Sequence, residues 1–247
     1  MELFLGDCLD ILPGIQDKSI DMIFTDLPYG TTRNGWDCMI DLKRLWEHYG
    51  RIIKDNGCIA LWAQSPFDKV LACSNLKMYR YEWIIEKTKG TGHLNAAKMP
   101  MKCHENVLIF YKHLPTYNPQ ITTGHSPVHS YTKHVSDGSN YGKTRTGISG
   151  GGSTERYPRD VLRFKWDTQR ERLHPTQKPL EACKYFIRTY TNSGDTVLDS
   201  CMGSNTTGVA CQELGREYIG IEKDTVNYRI ALDRVDSNFP GEPEEGA

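Results

Sequence analysis

Between Thr196 and Glu222 the sequence reads TVLDSCMGSNTTGVACQELGREYIGIE: an apolar run, a loop of small residues, a helical stretch closed by Gly215, and a second apolar run. Two short strands joined through a helix pair in parallel, because a twisted strand feeding a helix returns to its own sheet by a right-handed crossover. Parallel strands need helices on both faces, so this one unit predicts an α/β fold for the chain. Asp199 ends the first strand and Glu222 the second, and ligands of such sheets sit beyond the carboxyl ends of the strands.

The same alternation runs through the first half. LFL (Leu3 to Leu5), MIFT (Met22 to Thr25) and CIALW (Cys58 to Trp62) read as buried strands. A helix is predicted between Asp41 and Asn56, with Leu42, Leu45, Trp46, Tyr49, Ile52 and Ile53 on one face and Gly57 as its stop. YEWIIEK and NVLIFYK then read as an antiparallel pair at one edge. Helical spacing returns at Leu180, Cys183, Phe186, Ile187 and Tyr190, with Pro179 suited to the first turn.

Between His113 and Arg172 no period survives. That stretch carries nine Lys or Arg against five Asp or Glu, with four His and several Tyr interleaved, in a chain whose totals are 30 basic and 31 acidic residues. The local excess, which the balanced total hides, reads as a nucleic-acid surface. A structureless stretch of this length inside one domain is unusual unless it has a function. The eight cysteines are scattered without a C-x-x-C pair, which predicts reduced thiols and no structural zinc or other metal. No apolar run approaches the roughly 20 residues that span a bilayer, so a soluble, cytoplasmic protein with no membrane contact is expected.

The loop after Asp199 is not G-x-G-x-x-G. Gly203 stands alone and Gly208 lies inside the helix, so close approach of a pyrophosphate is disfavoured and a nucleoside without phosphates fits better. S-adenosylmethionine is such a ligand. An acid 23 residues after Asp199 suits the two hydroxyls of a ribose. Taken singly, Asp199 and Glu222 could equally cap strands or pair with surface lysines; the βαβ frame favours the pocket.

TDLPYG, Thr25 to Gly30, closes another apolar strand, so Asp26 belongs on the same rim. Pro28 biases Leu27 towards extended geometry and holds its carbonyl beside the Asp26 carboxylate, while Tyr29 offers a flat face. Two acceptors beside an aromatic suit an exocyclic amine on a planar base. The amine lone pair is delocalised into the ring, and acceptors that favour a pyramidal nitrogen free it for in-line attack. Asp and Pro are also ordinary turn formers, so the motif alone is weak.

TDLPYG, HPTQKP and VLDSCMGSNTTG in that order resemble the β-type DNA amino-methyltransferases, a family of N6-adenine and N4-cytosine enzymes found in restriction-modification systems and as orphans. The resemblance covers the chain up to its acidic tail. It implies a Rossmann-like, circularly permuted methyltransferase fold with a seven-stranded, mostly parallel sheet and a loop-rich target-recognition insert. Residues 1–112 would form the catalytic half, 113–172 the insert, 173–236 the S-adenosylmethionine half, and 237–247 a disordered tail. Asp26, Leu27, Pro28 and Tyr29 would be catalytic. Asp7 would meet the cofactor adenine, with Asp199, Cys201, Gly203, Ser204, Asn205, Thr206 and Glu222 lining the site and Thr176 and Lys178 near its methionine end. His104 to Lys112 resembles the strand beneath the flipped base. Lys143, Arg145, Arg156, Arg159 and Arg163 are the expected DNA contacts.

One departure stands out. Family members usually carry Pro where this chain has Leu27, which keeps the carbonyl and loosens its preorganisation. Asp rather than Ser at position 26 resembles the adenine-N6 subgroup. The expected partners are DNA, a second copy of the chain and a separately encoded endonuclease. The competing readings are an N4-cytosine enzyme, a methyltransferase acting on RNA or a protein amide, a nicotinamide oxidoreductase, which the missing glycine fingerprint disfavours, and a DNA-binding module with a decayed site.

Overall fold

Strands that are apolar on both faces need a helical layer on each, and the chain supplies both. The computed structural model describes residues 1–30, 39–132, 149–165 and 177–238. In chain order the strands and α-helices are β1 (Glu2–Leu5), α1 (Cys8–Ile11), β2 (Ile20–Asp26), α2 (Leu42–Ile52), β3 (Ile53–Ala63), α3 (Phe67–Ser74), β4 (Tyr79–Thr91), β5 (Lys102–Phe110), β6 (Tyr131–Thr132), β7 (Ser149–Gly150), β8 (Val161–Phe164), α4 (Leu180–Tyr190), β9 (Thr196–Asp199), α5 (Thr206–Glu213), β10 (Glu217–Glu222) and α6 (Thr225–Asn238). Two units separate: residues 1–118 with 160–247, and residues 119–159.

The main unit is an eight-stranded sheet of order β1-β10-β9-β2-β3-β5-β4-β8. Side chains of successive strand residues enter opposite layers. Ile23, Ile59, Leu61, Leu108 and Phe110 pack with α2 and α3 residues such as Leu45, Tyr49 and Phe67. Met22, Phe24, Ala60, Trp62, Val107 and Ile109 pack on the other side with Phe186, Ile187 and Tyr190 of α4 and Ala210 of α5. Burial on both faces is why these strands read as continuous apolar runs.

The order reverses between β9 and β2. From β9 the chain winds through α5 to β10 in one direction, and from β2 through α2 to β3 in the other. Asp199 and Asp26 end the two strands that flank this switch, where open parallel sheets place their ligands. β1 pairs in parallel with β10, Leu5 opposite Glu222, so the first strand completes the half built by the last ones, as circular permutation implies.

Four expectations change. The sheet has eight strands rather than seven: VLRF, residues 161–164 of the presumed insert, pairs in parallel with β4. The antiparallel pair β4 and β5 is consequently not at the edge. α2 ends at Ile52, not near Asn56; β3 begins at once, and its register slips between Ile53 and Cys58. Gly57 therefore marks an irregular strand, not a helix stop: a Cβ there would stand 2.9 Å from the Asp21 carbonyl oxygen. Pro179 sits at the cap position of α4, one residue before its first turn.

The second unit is narrower than the stretch without periodicity. Within it β6 pairs antiparallel with β7, and Thr122 bridges to Arg156. The tail after residue 238 lies outside the described residues. Among the described residues no helix is long and apolar enough to cross a membrane.

Candidate active site

At the switch point the two strand ends are bonded together. Thr25 donates from Oγ1 to Asp199 Oδ1 at 2.7 Å, and the Cys201 backbone N–H donates to the same oxygen at 3.1 Å. Asp199 is buried. Burial pushes its carboxyl up to about 6, against the hydrogen bonds from Thr25 and Thr207, which favour the ionised form.

The turn after β2 holds Asp26 by both oxygens. Tyr29 donates its hydroxyl to Oδ1 at 2.6 Å, and the Lys178 ammonium meets Oδ2 at 2.8 Å. The Tyr29 ring stacks on Phe67, with centroids 5.1 Å apart, so the aromatic is fixed from beneath as well as at its tip. Burial, then the Asp26 charge, holds the Tyr29 phenol well above its usual value, so it remains a donor. Leu27 is 2% exposed and packs in the α2-side core. Packing thus anchors the residue where the family's usual Pro would have stiffened the backbone.

Lys178 precedes α4 and also meets Glu105 Oε2 of β5 at 2.8 Å, while Lys87 of β4 meets Glu105 Oε1 at 2.5 Å. The Lys178 ammonium lies 5.1 Å from the centre of the Trp62 ring. Burial works against the Lys178 charge, but Asp26, Tyr29 and Glu105 more than offset it and hold the ammonium well above its usual pKa. Glu105 is likewise penalised by burial, yet Lys178 and Lys87 bring it down to about 2. The row Lys87, Glu105, Lys178, Asp26 alternates in charge and ends on the acid at the rim.

Beyond β9 the loop turns through Gly203, φ +52°, where the space a Cβ would take is open. Glu222, at the end of β10, accepts the Gly203 N–H at 2.8 Å and the Asp224 N–H at 2.7 Å, and burial raises its carboxyl above the usual range. Asp7 caps α1 by accepting the Leu9 N–H at 3.0 Å and pairs with Lys223 at 2.9 Å. The pairing of β1 with β10 thus brings Asp7 and Glu222 to one rim.

Other expected residues serve the loop itself. Ser204, Asn205 and Thr206 are buried. Asn205 takes φ +62°, a conformation its short amide tolerates. That amide lies against Gly208, where an added Cβ would collide with Oδ1, and among the described residues neither its oxygen nor its nitrogen has a partner. Cys201 hydrogen-bonds the Cys8 thiol, which lowers the Cys8 pKa and raises its own. Arg234 of α6 donates to the Ser204 carbonyl and to Thr206 Oγ1, the latter at 3.0 Å.

Thr176, Lys143 and Arg145 lie outside the described residues. Arg156 spends its guanidinium inside the small unit, on the carbonyls of Ser126, Ser153 and Glu155. Arg159 is exposed in the same unit, whereas Arg163 is exposed on β8 of the main sheet. Sequence reasoning missed Thr25, Glu105, Lys87 and Arg234, whose partners are distant in the chain. Among the described residues no group of three or more His, Cys, Asp or Glu could hold a metal ion.

A family model described as DNA methylase matches residues 20–233. The type II methyltransferase M.HpaI of Haemophilus parainfluenzae is 27% identical over 258 residues, covering 97% of this chain and 75% of that protein. The DNA adenine methyltransferase YhdJ of Escherichia coli is 27% identical over 248 residues, covering 94% and 81%. Among solved structures, the cytosine-N4-specific PvuII DNA methyltransferase superposes with a TM-score of 0.68 at 15% identity, covering 94% of this chain and 85% of that one. A complex of M1.HpyAVI with SAM superposes at 0.63 and 21% identity, covering 94% and 98%.

Proposed function

The chain belongs to this DNA methylase family, and we propose that it transfers a methyl group from S-adenosylmethionine to the exocyclic N6 of adenine in DNA. The observation that carries the reading is Asp26, a carboxylate at the strand end beside the switch point, backed by Tyr29 and tied through Thr25 to Asp199, which opens the loop that Glu222 holds at Gly203. Its partner base reaches it flipped from the duplex, at an extrusion cost of a few kcal/mol that binding offsets.

The residues at the rim fit the cofactor. Glu222 offers a carboxylate for ribose hydroxyls, Asp7 stands on the same rim for the adenine, and Gly203 leaves open space for close approach. Asp199, ionised above about pH 6, favours a cationic ligand. Lys178, already paired with Asp26 and Glu105, is the proposed neighbour of the methionine end. When bound, S-adenosylmethionine supplies an electrophilic methyl group.

The chain supplies orientation and charge. Asp26 Oδ1 and Oδ2 are held by Tyr29 and Lys178, and each oxygen keeps a second lone pair, to which the incoming amine donates. The Leu27 carbonyl accepts a hydrogen bond from the second amine N–H. Lys178 and Glu105 keep the carboxylate in place while the nitrogen becomes pyramidal, and the proton lost after transfer leaves by way of Asp26. Phe67 holds Tyr29 flat for the base.

Arg159 and Arg163, with Lys143 and Arg145, are the proposed phosphate and base contacts, and the segment 113–172 is the proposed target-recognition region. Residues 1–112 and 173–236 serve as the catalytic and cofactor halves. A homodimer, a separately encoded cognate endonuclease and a cytoplasmic location complete the reading.

The test is incubation with methyl-labelled S-adenosylmethionine and mixed-sequence DNA, followed by digestion to nucleosides and mass spectrometry. Labelled N6-methyladenine is the expected product. Labelled N4-methylcytosine would replace adenine with cytosine as the substrate and leave the mechanism standing.

A further inference from the structure

Past the level of Asp26 the sheet continues on one side only. Asp26 pairs with Trp62, Trp62 with Val107 and Val107 with Trp83, so these four residues share one level across β2, β3, β5 and β4. β3 ends one pair later, at Ala63 opposite Asn106. β4 runs parallel to β2 and carries on to Thr91 before the chain returns through Lys102. At about 3.3 Å per residue, the hairpin from Lys87 to His104 reaches up to roughly 25 Å beyond the acid, on the same side of the sheet. Its turn, residues 91–100, is exposed throughout.

Its charge is one-sided. Residues 87–104 contain Lys87, Lys89, Lys98, Lys102, His93 and His104 and no acid, in a chain of net charge −1. Lys87 is consumed by Glu105 at the hairpin's base, and Lys102 donates to the Ser65 carbonyl at 2.8 Å. Lys89 and Lys98 are exposed and meet no acid among the described residues. Isolated surface lysines are usually solvated and idle. Here they stand on a strand pair that runs on past the level of Asp26, and a duplex delivering a base to that acid brings its phosphates alongside.

Resting on the DNA reading above, we propose that the β4–β5 hairpin is a backbone clamp in which Lys89 and Lys98 contact phosphates flanking the target base. The contacts are independent of sequence and add to whatever the 113–172 segment reads. Because Lys87 and Glu105 at the base of the hairpin lead by ion pairs to Lys178 and Asp26, the clamp and the acid share one rigid support.

The test compares wild type with K89A/K98A on a labelled mixed-sequence duplex, by fluorescence anisotropy from about 50 to 200 mM salt. Each lost phosphate contact lowers the slope of log affinity against log salt by roughly 0.9, so the pair should lower it by nearly two and weaken binding roughly tenfold at about 0.1 M salt. K89R/K98R should bind like wild type, and calorimetric affinity for S-adenosylmethionine should be unchanged in both variants. A double alanine variant with wild-type slope and affinity, beside a wild type that binds and methylates DNA, overturns the clamp alone. A wild type that neither binds nor methylates DNA overturns the parent reading, and the clamp with it.

Discussion

Thr25 and Asp199 are joined by a 2.7 Å hydrogen bond although 174 positions separate them. The residue before the proposed catalytic acid and the residue opening the cofactor loop therefore move together, and a buried carboxylate with a raised pKa sits at the junction.

On the proposed function, that carboxylate should make cofactor binding pH-dependent. Asp199 is neutral below about pH 6 and charged above it, so affinity for the cationic cofactor should rise between pH 5 and pH 7. D199N should flatten this rise. T25V, which removes a bond favouring the ionised form, should move the midpoint upward. Stability runs the other way: the raised value contributes stability fully present below about 3.8 and lost as pH rises through about 6. Calorimetric titrations at half-unit pH steps check the first trend, and urea midpoints the second.

Asp26 and Glu222 should separate by function. D26A should abolish methyl transfer, by at least about a hundredfold, on the scale of losing a positioned acceptor. Its cofactor affinity should stay near wild type. E222A should weaken cofactor binding first, by roughly tenfold, because a hydrogen bond to a charged group contributes about 1.5–3 kcal/mol. Equal loss of cofactor affinity in both would contradict the two-site assignment.

Glu105 holds two lysines at once. E105Q leaves Lys87 without its carboxylate and Lys178 with Asp26 alone, and breaking a buried pair in this way costs about 3 kcal/mol or more. The wild type should lose the Glu105 contribution as pH falls from about 4.5 towards about 2, since the folded protein holds this acid below its usual value. E105Q should lack that part of the acid sensitivity. Denaturant midpoints across this range, with kcat measured at neutral pH, read both effects.

Arg234 ties α6 to the cofactor loop. R234A should lower stability by about 1–2 kcal/mol through the unsatisfied Ser204 carbonyl. It should also raise the cofactor Kd several-fold while leaving the turnover of saturated enzyme near wild type. A fall in kcat with Kd unchanged would place Arg234 elsewhere in the cycle.

The positions of Asp26, Asp199 and Glu222 at strand ends were legible because their apolar runs stop on an acid, and a parallel sheet brings such ends to one rim. Glu105 and Thr25 were not legible as site residues, because their roles exist only through Lys178 and Asp199, which folding brings across the sheet. β8 hid because four residues flanked by charged neighbours carry no measurable period, and only β4 beside it makes them a strand. Gly57 misled because a glycine after a helical face is the ordinary stop signal; the irregular register beside β2 used it instead.

The pairing of β1 with β10 sets an order of events during synthesis. Residues 2–5 leave the ribosome more than 200 residues ahead of the strand they lie against. Until then, the N-terminal strand and the acid beside it have no neighbour, and the rim shared by Asp7 and Glu222 does not exist. Contacts between distant segments slow folding. A nascent chain stalled before β10 would already carry the TDLPYG turn but would have no assembled rim beside it, so the proposed activity waits for β10.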